Sequence, residues 1–207
     1  MHKIKFIYFD IGGVLNLDFT GTNKWSELKA DLGVTEATAE KFEAVWQKHR
    51  KRICIDCDID SLIPEFQAET GIIFPAEYSM LDDFVKRFEL NPSIWPVVKK
   101  AEQKYKVGIL SNMYPRMFER IQQKKQIPTA NWDVIIKSNE VGFQKPDPEI
   151  YEIAEQKASV DPSQIFFTDN LWHNTEVAKQ RGWQTYLYDS QNPEESNNQL
   201  KSILDIE

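Results

Sequence analysis

Three short apolar runs in this 207-residue chain lead straight into residues able to do chemistry. IKFIYF (4–9) is followed by Asp10, KVGIL (106–110) by Ser111 and Asn112, and QIFFT (164–168) by Asp169 and Asn170. Lys145 stands just ahead of the turn-forming Pro146, Asp147 and Pro148. A carboxylate, a hydroxyl, an ammonium and a second carboxylate make an inventory for phosphoryl transfer. A carboxylate can attack phosphorus to give an aspartyl-phosphate that water then hydrolyses. Mg²⁺ takes hard oxygen ligands, usually one or two carboxylates with waters and a substrate phosphate. Positive charge and hydroxyl donors stabilise the equatorial oxygens of the group in transit.

Taken one at a time, each position has a plainer reading. An Asp or Ser after a strand often serves only as a turn or cap residue. Lys145 alone is an ordinary solvated lysine, and Asp169 could cap a helix beginning near Trp172. Asp10 is harder to explain structurally, because it follows six mostly apolar residues.

For these side chains to meet, the apolar runs must be parallel strands, since ligands bind outside the carboxyl ends of open α/β sheets. WDVII (132–136) and QTYLY (184–188) supply two more runs of strand length. Between the runs lie segments with helical spacing, such as Ile94/Val97/Val98/Ala101 and Ile150/Ile153/Ala154. The alternation predicts an α/β fold: a doubly wound, Rossmann-like parallel sheet covered by helices. Residues 17–90 break the pattern and read as helices only. Their stripes are Trp25/Leu28/Leu32, Phe42/Val45/Trp46/His49, Leu62/Ile63/Phe66 and Leu81/Phe84/Val85/Phe88, with Thr35 and Ser79 as N-caps. The predicted division is a core of residues 1–16 and 91–207 with an inserted helical cap, 17–90, over the active edge. The polar tail 189–198 reads as loop, followed by a short docking helix with Leu200, Ile203 and Leu204.

Composition narrows the function classes. A hydrophobic content of 41% is enough for a buried core, and 25 basic against 32 acidic residues leave a net charge of −7. That charge repels nucleic-acid backbones and anionic lipid, so neither is an expected partner. The opening MHKIKFIYFD matches neither a secretory signal nor a transmembrane span, and a cytoplasmic location is expected. Monomer and homodimer are both compatible with the sequence. Cys54 and Cys57 form a C-x-x-C, but no second Cys/His pair follows at metal-ligand spacing, so two reduced thiols are the expectation.

Four segments, in order along the chain, resemble the motifs of the haloacid-dehalogenase superfamily. FIYFDIGGVL resembles the first, which ends its strand at the nucleophilic Asp, here Asp10. VGILSN resembles the second, with Ser111 as phosphate-binding hydroxyl. SNEVGFQKPDPEIY resembles the third, with Lys145 neutralising nucleophile and phosphate, and Asp147-Pro148 opening the next helix. IFFTDN resembles the fourth, with Asp169 holding Mg²⁺. The resemblance implies a Mg²⁺-dependent hydrolase, a phosphatase acting on a small phosphorylated metabolite such as a sugar phosphate. Asp10, Ser111 and Lys145 would be catalytic. Gly12, Gly13, Ser111, Asn112 and Lys145 would bind phosphate. Asp10, the Gly12 carbonyl, Asp169 and Asn170 would ligate the metal.

Two positions depart from the commonest phosphatase pattern. Gly12 replaces a second Asp that protonates the leaving oxygen, a contribution of about 10²–10⁴ in rate. Asn170 replaces an acid that ligates magnesium, which lowers the charge available to the cation. TDNLWHN (168–174) also resembles the corresponding stretch of the 2-haloacid dehalogenases, through Asn170 and Trp172, and Tyr151 is compatible with them. Those enzymes need no metal and attack carbon. Gly12 and His173 match them poorly. A degenerate binding or regulatory protein is the third reading. His173 falls close enough to the site to touch substrate, His49 continues an apolar stripe inside the cap, and the cap aromatics Trp25, Phe42, Trp46, Phe66, Phe84 and Phe88 read as packing.

Overall fold

Phe6, Ile7, Tyr8 and Phe9 are all buried, as a strand covered on both faces requires. In the computed structural model, which describes residues 3–207, they form β1 (Phe6–Phe9). Next come β2 (Asn16–Leu17), α1 (Lys24–Asp31), α2 (Glu36–His49), α3 (Ile63–Thr70), α4 (Met80–Arg87) and β3 (Glu89–Leu90). The chain continues through α5 (Trp95–Lys104), β4 (Lys106–Ser111), α6 (Met117–Gln123), β5 (Val134–Lys137), α7 (Ser138–Val141) and α8 (Pro148–Ala158). It ends with β6 (Ile165–Asp169), α9 (Trp172–Gln180), β7 (Gln184–Leu187) and α10 (Pro193–Leu204).

Five strands make one sheet in the order β5-β4-β1-β6-β7, every pair parallel. The chain winds outward from β1 in both directions, so the crevice at its carboxyl end is the topological switch point. Side chains alternate across the sheet. Ile7 and Phe9 join one apolar layer with Val97, Val98 of α5 and Leu200, Leu204 of α10. Phe6 and Tyr8 join the other with Ile150, Ala154 of α8 and Ala178 of α9. Register then places the chemistry. Phe9 lies opposite Thr168 and Ile109, so Asp10 and Asp169 leave neighbouring strands at the same height and Ser111 ends β4 beside them.

Two expectations need correcting. The 17–90 stretch is not helices only: β2 and β3 form an antiparallel ribbon, Asn16 opposite Leu90 and Leu17 opposite Glu89, that brings its two ends together. The polar tail is helical from Pro193, because its polar groups are satisfied inside the fold. The Ser196 hydroxyl accepts from the Asp189 N–H at 3.0 Å, and the Asn197 amide donates to Ser93 Oγ at 2.8 Å and accepts from Tyr188 Oη at 3.0 Å. Ser79 caps α4 as expected, accepting from the Asp82 N–H at 3.1 Å. Asp147 precedes α8 as expected but does not cap it; its carboxylate turns back to the Gln144 N–H at 3.4 Å.

The inserted helices are fastened to the sheet edge. Arg116, with its backbone in the left-handed region, directs its guanidinium to Asp58 at 2.6 Å and Asp60 at 2.8 Å. Gln126 donates to the Val85 carbonyl at 2.8 Å, and the Ser138 hydroxyl donates to the Cys54 carbonyl.

Ile109 is fully buried in a strand adjacent to β1, so Ile109→Ala leaves a cavity that neighbouring strands cannot close. The expected loss is about 2–5 kcal/mol of unfolding free energy in a urea titration. A loss under about 1 kcal/mol would show that this layer is not the packed core described.

Candidate functional site

Asp10, Ser111, Lys145 and Asp169 all come together at the carboxyl ends of β1, β4 and β6. Lys145 Nζ sits 3.0 Å from Asp10 Oδ1 and 2.6 Å from Asp169 Oδ2, and all three side chains are buried. The Ser111 hydroxyl lies close enough to favour the ionised Asp10 carboxyl, and the Ile11 N–H donates to Asp10 Oδ1 at 2.7 Å. Lys145 comes from the loop after α7 and is held by a two-way clamp. Its N–H donates to Asn112 Oδ1 at 2.7 Å, while Asn112 Nδ2 donates to its carbonyl at 2.8 Å.

Burial governs the electrostatics. It pushes the Asp10 carboxyl up to about 7; Lys145 opposes the rise and the nearby Asp169 charge adds to it. Burial alone would lower Lys145, but Asp10 and Asp169 outweigh it and hold the ammonium above the ordinary lysine value. One ammonium therefore faces two carboxylates in a nearly dry pocket.

Asp169 is both a chemical group and a turn former. Its Oδ1 accepts from the Leu171 N–H at 2.8 Å ahead of α9, while Oδ2 receives Lys145 and also Asn174 Nδ2 at 3.0 Å. Asn174 escaped the sequence reading; the hydroxyl of Tyr151, singled out there, donates to its carbonyl at 2.9 Å. Gly13 has φ +78°, a conformation only glycine adopts without strain, and a side chain there would collide with the Asn170 amide. Gly12 pairs with Asn16 in an isolated bridge at the start of the ribbon.

Beside this cluster opens a cavity of about 630 Å³. Gly12, Asn112 and Lys145 line its sheet side and Trp46, Phe84 and Phe88 its helical side. Three of the six cap aromatics therefore face the cavity as well as packing, while Phe42, Phe66 and Phe84 are buried in the core. Trp46 stacks on Phe84 with centroids 5.7 Å apart. His173 lines the cavity, whereas His49 pairs with Glu65 at 2.7 Å on the helical insertion. Trp172 is 66% exposed and is not part of the cavity wall. Cys54 and Cys57 form no disulfide; Cys54 lines the cavity, and burial pushes its thiol up to about 12. Asp18, absent from the sequence-derived set, also lines the cavity, and burial raises its carboxyl.

The donor set suits a magnesium ion better than a softer metal. Among the described residues no group of three His, Cys, Asp or Glu could hold a metal on its own. Mg²⁺ does not need one, since it binds through one or two carboxylates and keeps waters and phosphate. Asp10 and Asp169 carry one more negative charge than Lys145 neutralises. The Asn170 Nδ2 is buried without a partner, so turning the amide to place its oxygen inward breaks no hydrogen bond of that nitrogen.

A parallel sheet wound outward from a central strand, with acids at adjacent strand ends and a helical insertion after the first strand, defines a doubly wound α/β core with its site at the switch point. Residues 4–182 match the family of haloacid dehalogenase-like hydrolases, and the chain belongs to that family. Acyl-CoA dehydrogenase family member 10 of Mus musculus is 36% identical over 142 residues, 66% of this chain. Bifunctional epoxide hydrolase 2 of Sus scrofa is 23% identical over 205 residues, 86% of this chain. The matches span only 12% and 35% of those longer proteins. A HAD family enzyme of Bacteroides thetaiotaomicron, in complex with magnesium and inorganic phosphate, shares the fold at TM-score 0.69 and 21% identity, covering 90% of this chain and 95% of that one. A HAD phosphatase of Thermococcus onnurineus does so at 0.68 and 18%, covering 99% of both chains. An L-2-haloacid dehalogenase of Xanthobacter autotrophicus does so at 0.58 and 21%, covering 88% and 76%. No helix of the described residues is long and apolar enough to cross a membrane.

Lys145→Met removes the ammonium and leaves two buried carboxylates facing each other. The expected cost is about 3–5 kcal/mol at neutral pH, read as a lowered midpoint in urea, with part of it recovered in Asp10→Asn/Lys145→Met. If the single variant is as stable as wild type, Lys145 does not neutralise the pair.

Proposed function

We propose that the chain is a Mg²⁺-dependent phosphatase that hydrolyses a small phosphorylated metabolite through an aspartyl-phosphate at Asp10. The observation that carries this reading is the meeting of Asp10, Ser111 and Asp169 around Lys145 at the sheet's switch point. Asp10, one oxygen fixed by Lys145 and the Ile11 N–H, is the nucleophile. Lys145 opposes protonation of that carboxylate and offers positive charge to the phosphoryl oxygens. Ser111, Asn112 and the Gly12–Gly13 turn offer hydrogen bonds to the same group. Asp10, Asp169, the Gly12 carbonyl and the Asn170 amide oxygen would hold magnesium, which when bound supplies charge neutralisation for the substrate phosphate. Residues 17–90 act as a cap whose aromatic wall receives the rest of the substrate. A cavity of about 630 Å³ suits a metabolite of sugar-phosphate size. The unpaired cysteines and acidic balance fit a cytoplasmic protein.

The metal-free dehalogenase reading has less support. Trp172 points to solvent, and the Tyr151 hydroxyl is engaged by the Asn174 carbonyl away from the cavity wall.

The test is a panel of phosphorylated metabolites and halogenated acids assayed with Mg²⁺ and with EDTA, comparing wild type with Asp10→Asn. Expected is phosphate release that EDTA abolishes and that Asp10→Asn lacks, while the variant keeps the wild-type circular dichroism spectrum. Metal-independent halide release would establish the dehalogenase instead. Binding of Mg²⁺ and a phosphate mimic without turnover would make the chain a binding protein.

A further inference from the structure

Residue 12 has no side chain, but the space one would fill is taken. Asp18 Oδ2 lies 2.6 Å from the point a Cβ on residue 12 would occupy, with Asp18 Cγ at 3.3 Å and Cβ at 3.6 Å. No other residue comes within 4 Å among the three nearest atoms, and Gly12 is outside the left-handed region. A side chain at residue 12 would therefore displace the Asp18 carboxylate, and the backbone conformation itself would not oppose it. The carboxylate in that space belongs to the segment just after β2, eight residues from Asp10, whereas residue 12 itself is two residues from Asp10 along the first motif.

Asp18 is held in place. Its Oδ1 accepts from the Thr20 N–H at 2.9 Å, and its carbonyl accepts from Lys24 Nζ at 3.0 Å. Lys24 in turn pairs with Glu89 at 2.9 Å on the partner strand of the ribbon. Three of the other proton-bearing groups that line the cavity, Lys145, Cys54 and Tyr114, are poorly suited to passing a proton back and forth; His173 lies on the same wall. Lys145 is committed to two carboxylates. Burial keeps the Cys54 thiol and the Tyr114 hydroxyl protonated far above neutrality.

Resting on the phosphatase reading, we propose that Asp18 is the catalytic acid and base of the reaction, delivered from a different position in the chain to the place that a side chain at residue 12 would reach. In the first half-reaction an Asp10 oxygen bonds to phosphorus as the bond from phosphorus to the ester oxygen breaks. That oxygen leaves with the bonding pair and takes the Asp18 proton. In the second, Asp18 accepts a proton from water as the water oxygen bonds to phosphorus. The bond from phosphorus to Asp10 breaks with its electron pair returning to the carboxylate, and phosphate departs with Asp18 protonated again.

The experiment measures kcat/KM, which reports the first half-reaction, on phenyl phosphate and nitrophenyl phosphate in the presence of Mg²⁺. Nitrophenolate leaves well without a proton and phenolate does not. Asp18→Asn keeps the acceptor for the Thr20 N–H. It should lose about 10²–10⁴ on phenyl phosphate and less than about tenfold on nitrophenyl phosphate. Asp18→Ala should behave alike, and it clears the space at residue 12, since an alanine Cβ at 3.6 Å is ordinary contact. Gly12→Asp in the Asp18→Ala background should then recover at least about tenfold on phenyl phosphate, the middle of the range of an acid-base contribution being larger still. Thermal melting confirms that each variant is folded. Equal losses on both esters, or none, overturn the assignment, as does a folded double variant no faster than Asp18→Ala. Asp10→Asn runs alongside: if wild type lacks Asp10-dependent turnover, the phosphatase reading itself fails. If Asp10→Asn is dead while Asp18→Asn matches wild type, only the role of Asp18 fails.

Discussion

The site depends on one electrostatic problem: two carboxylates brought to the same height by parallel register, with one ammonium between them. Asp10 and Asp169 could avoid each other only if β1 and β6 slipped, and a slip would turn Phe6 to Phe9 inside out. Burial, with the like charge of Asp169 adding to it, favours protonating one of them, which is the direction Asp10 takes. Lys145 limits that rise, and so the loop that carries it cannot be casual. Its backbone is clamped to Asn112 at the end of β4, which makes three consecutive strands of the sheet co-owners of one charge cluster.

The helical insertion addresses a different constraint. A charged cluster open to bulk water would lose most of its electrostatic strength, because interactions weaken as the effective dielectric rises. The insertion covers it with Trp46, Phe84 and Phe88, leaving a cavity and not a sealed core. The ribbon of β2 and β3 fixes where the insertion leaves and rejoins the sheet, and Arg116 with Asp58 and Asp60 fastens its far side. The half-exposed ion pairs at Arg116 are worth little each in water. Their contribution is orientation of the wall, with apolar burial supplying the bulk of the stability.

The sheet and its chemical residues were legible in the sequence because they obey local rules. Each strand is a short apolar run, and each reactive residue follows one directly. What stayed hidden depends on space instead of spacing. Asn174 is ordinary by type, and only the turn at Asp169 brings its amide to the carboxylate. The polar stretch before Leu200 looked like loop because its hydrogen-bond partners, Ser93, Tyr188 and Asp189, are distant in sequence or sit in a turn. The aromatic residues of the insertion gave a sound helical period, but periodicity cannot tell an interior facing other helices from an interior facing a cavity.

Asp18 shows the same limit most sharply. Read along the chain, Gly12 is a missing carboxylate and Asp18 an unremarked acid in a polar turn. Read in space, they are one feature, since the glycine makes room and the aspartate fills it. A carboxylate mounted at residue 12 would ride on the sheet edge with Asp10. One mounted at residue 18 rides instead on the ribbon, where Lys24 links the carbonyls of Leu17 and Asp18 to Glu89 on the opposite strand. The position of this carboxylate is therefore tied to the ribbon, whereas Asp10 and Asp169 take theirs from strand register and Lys145 from its clamp to Asn112.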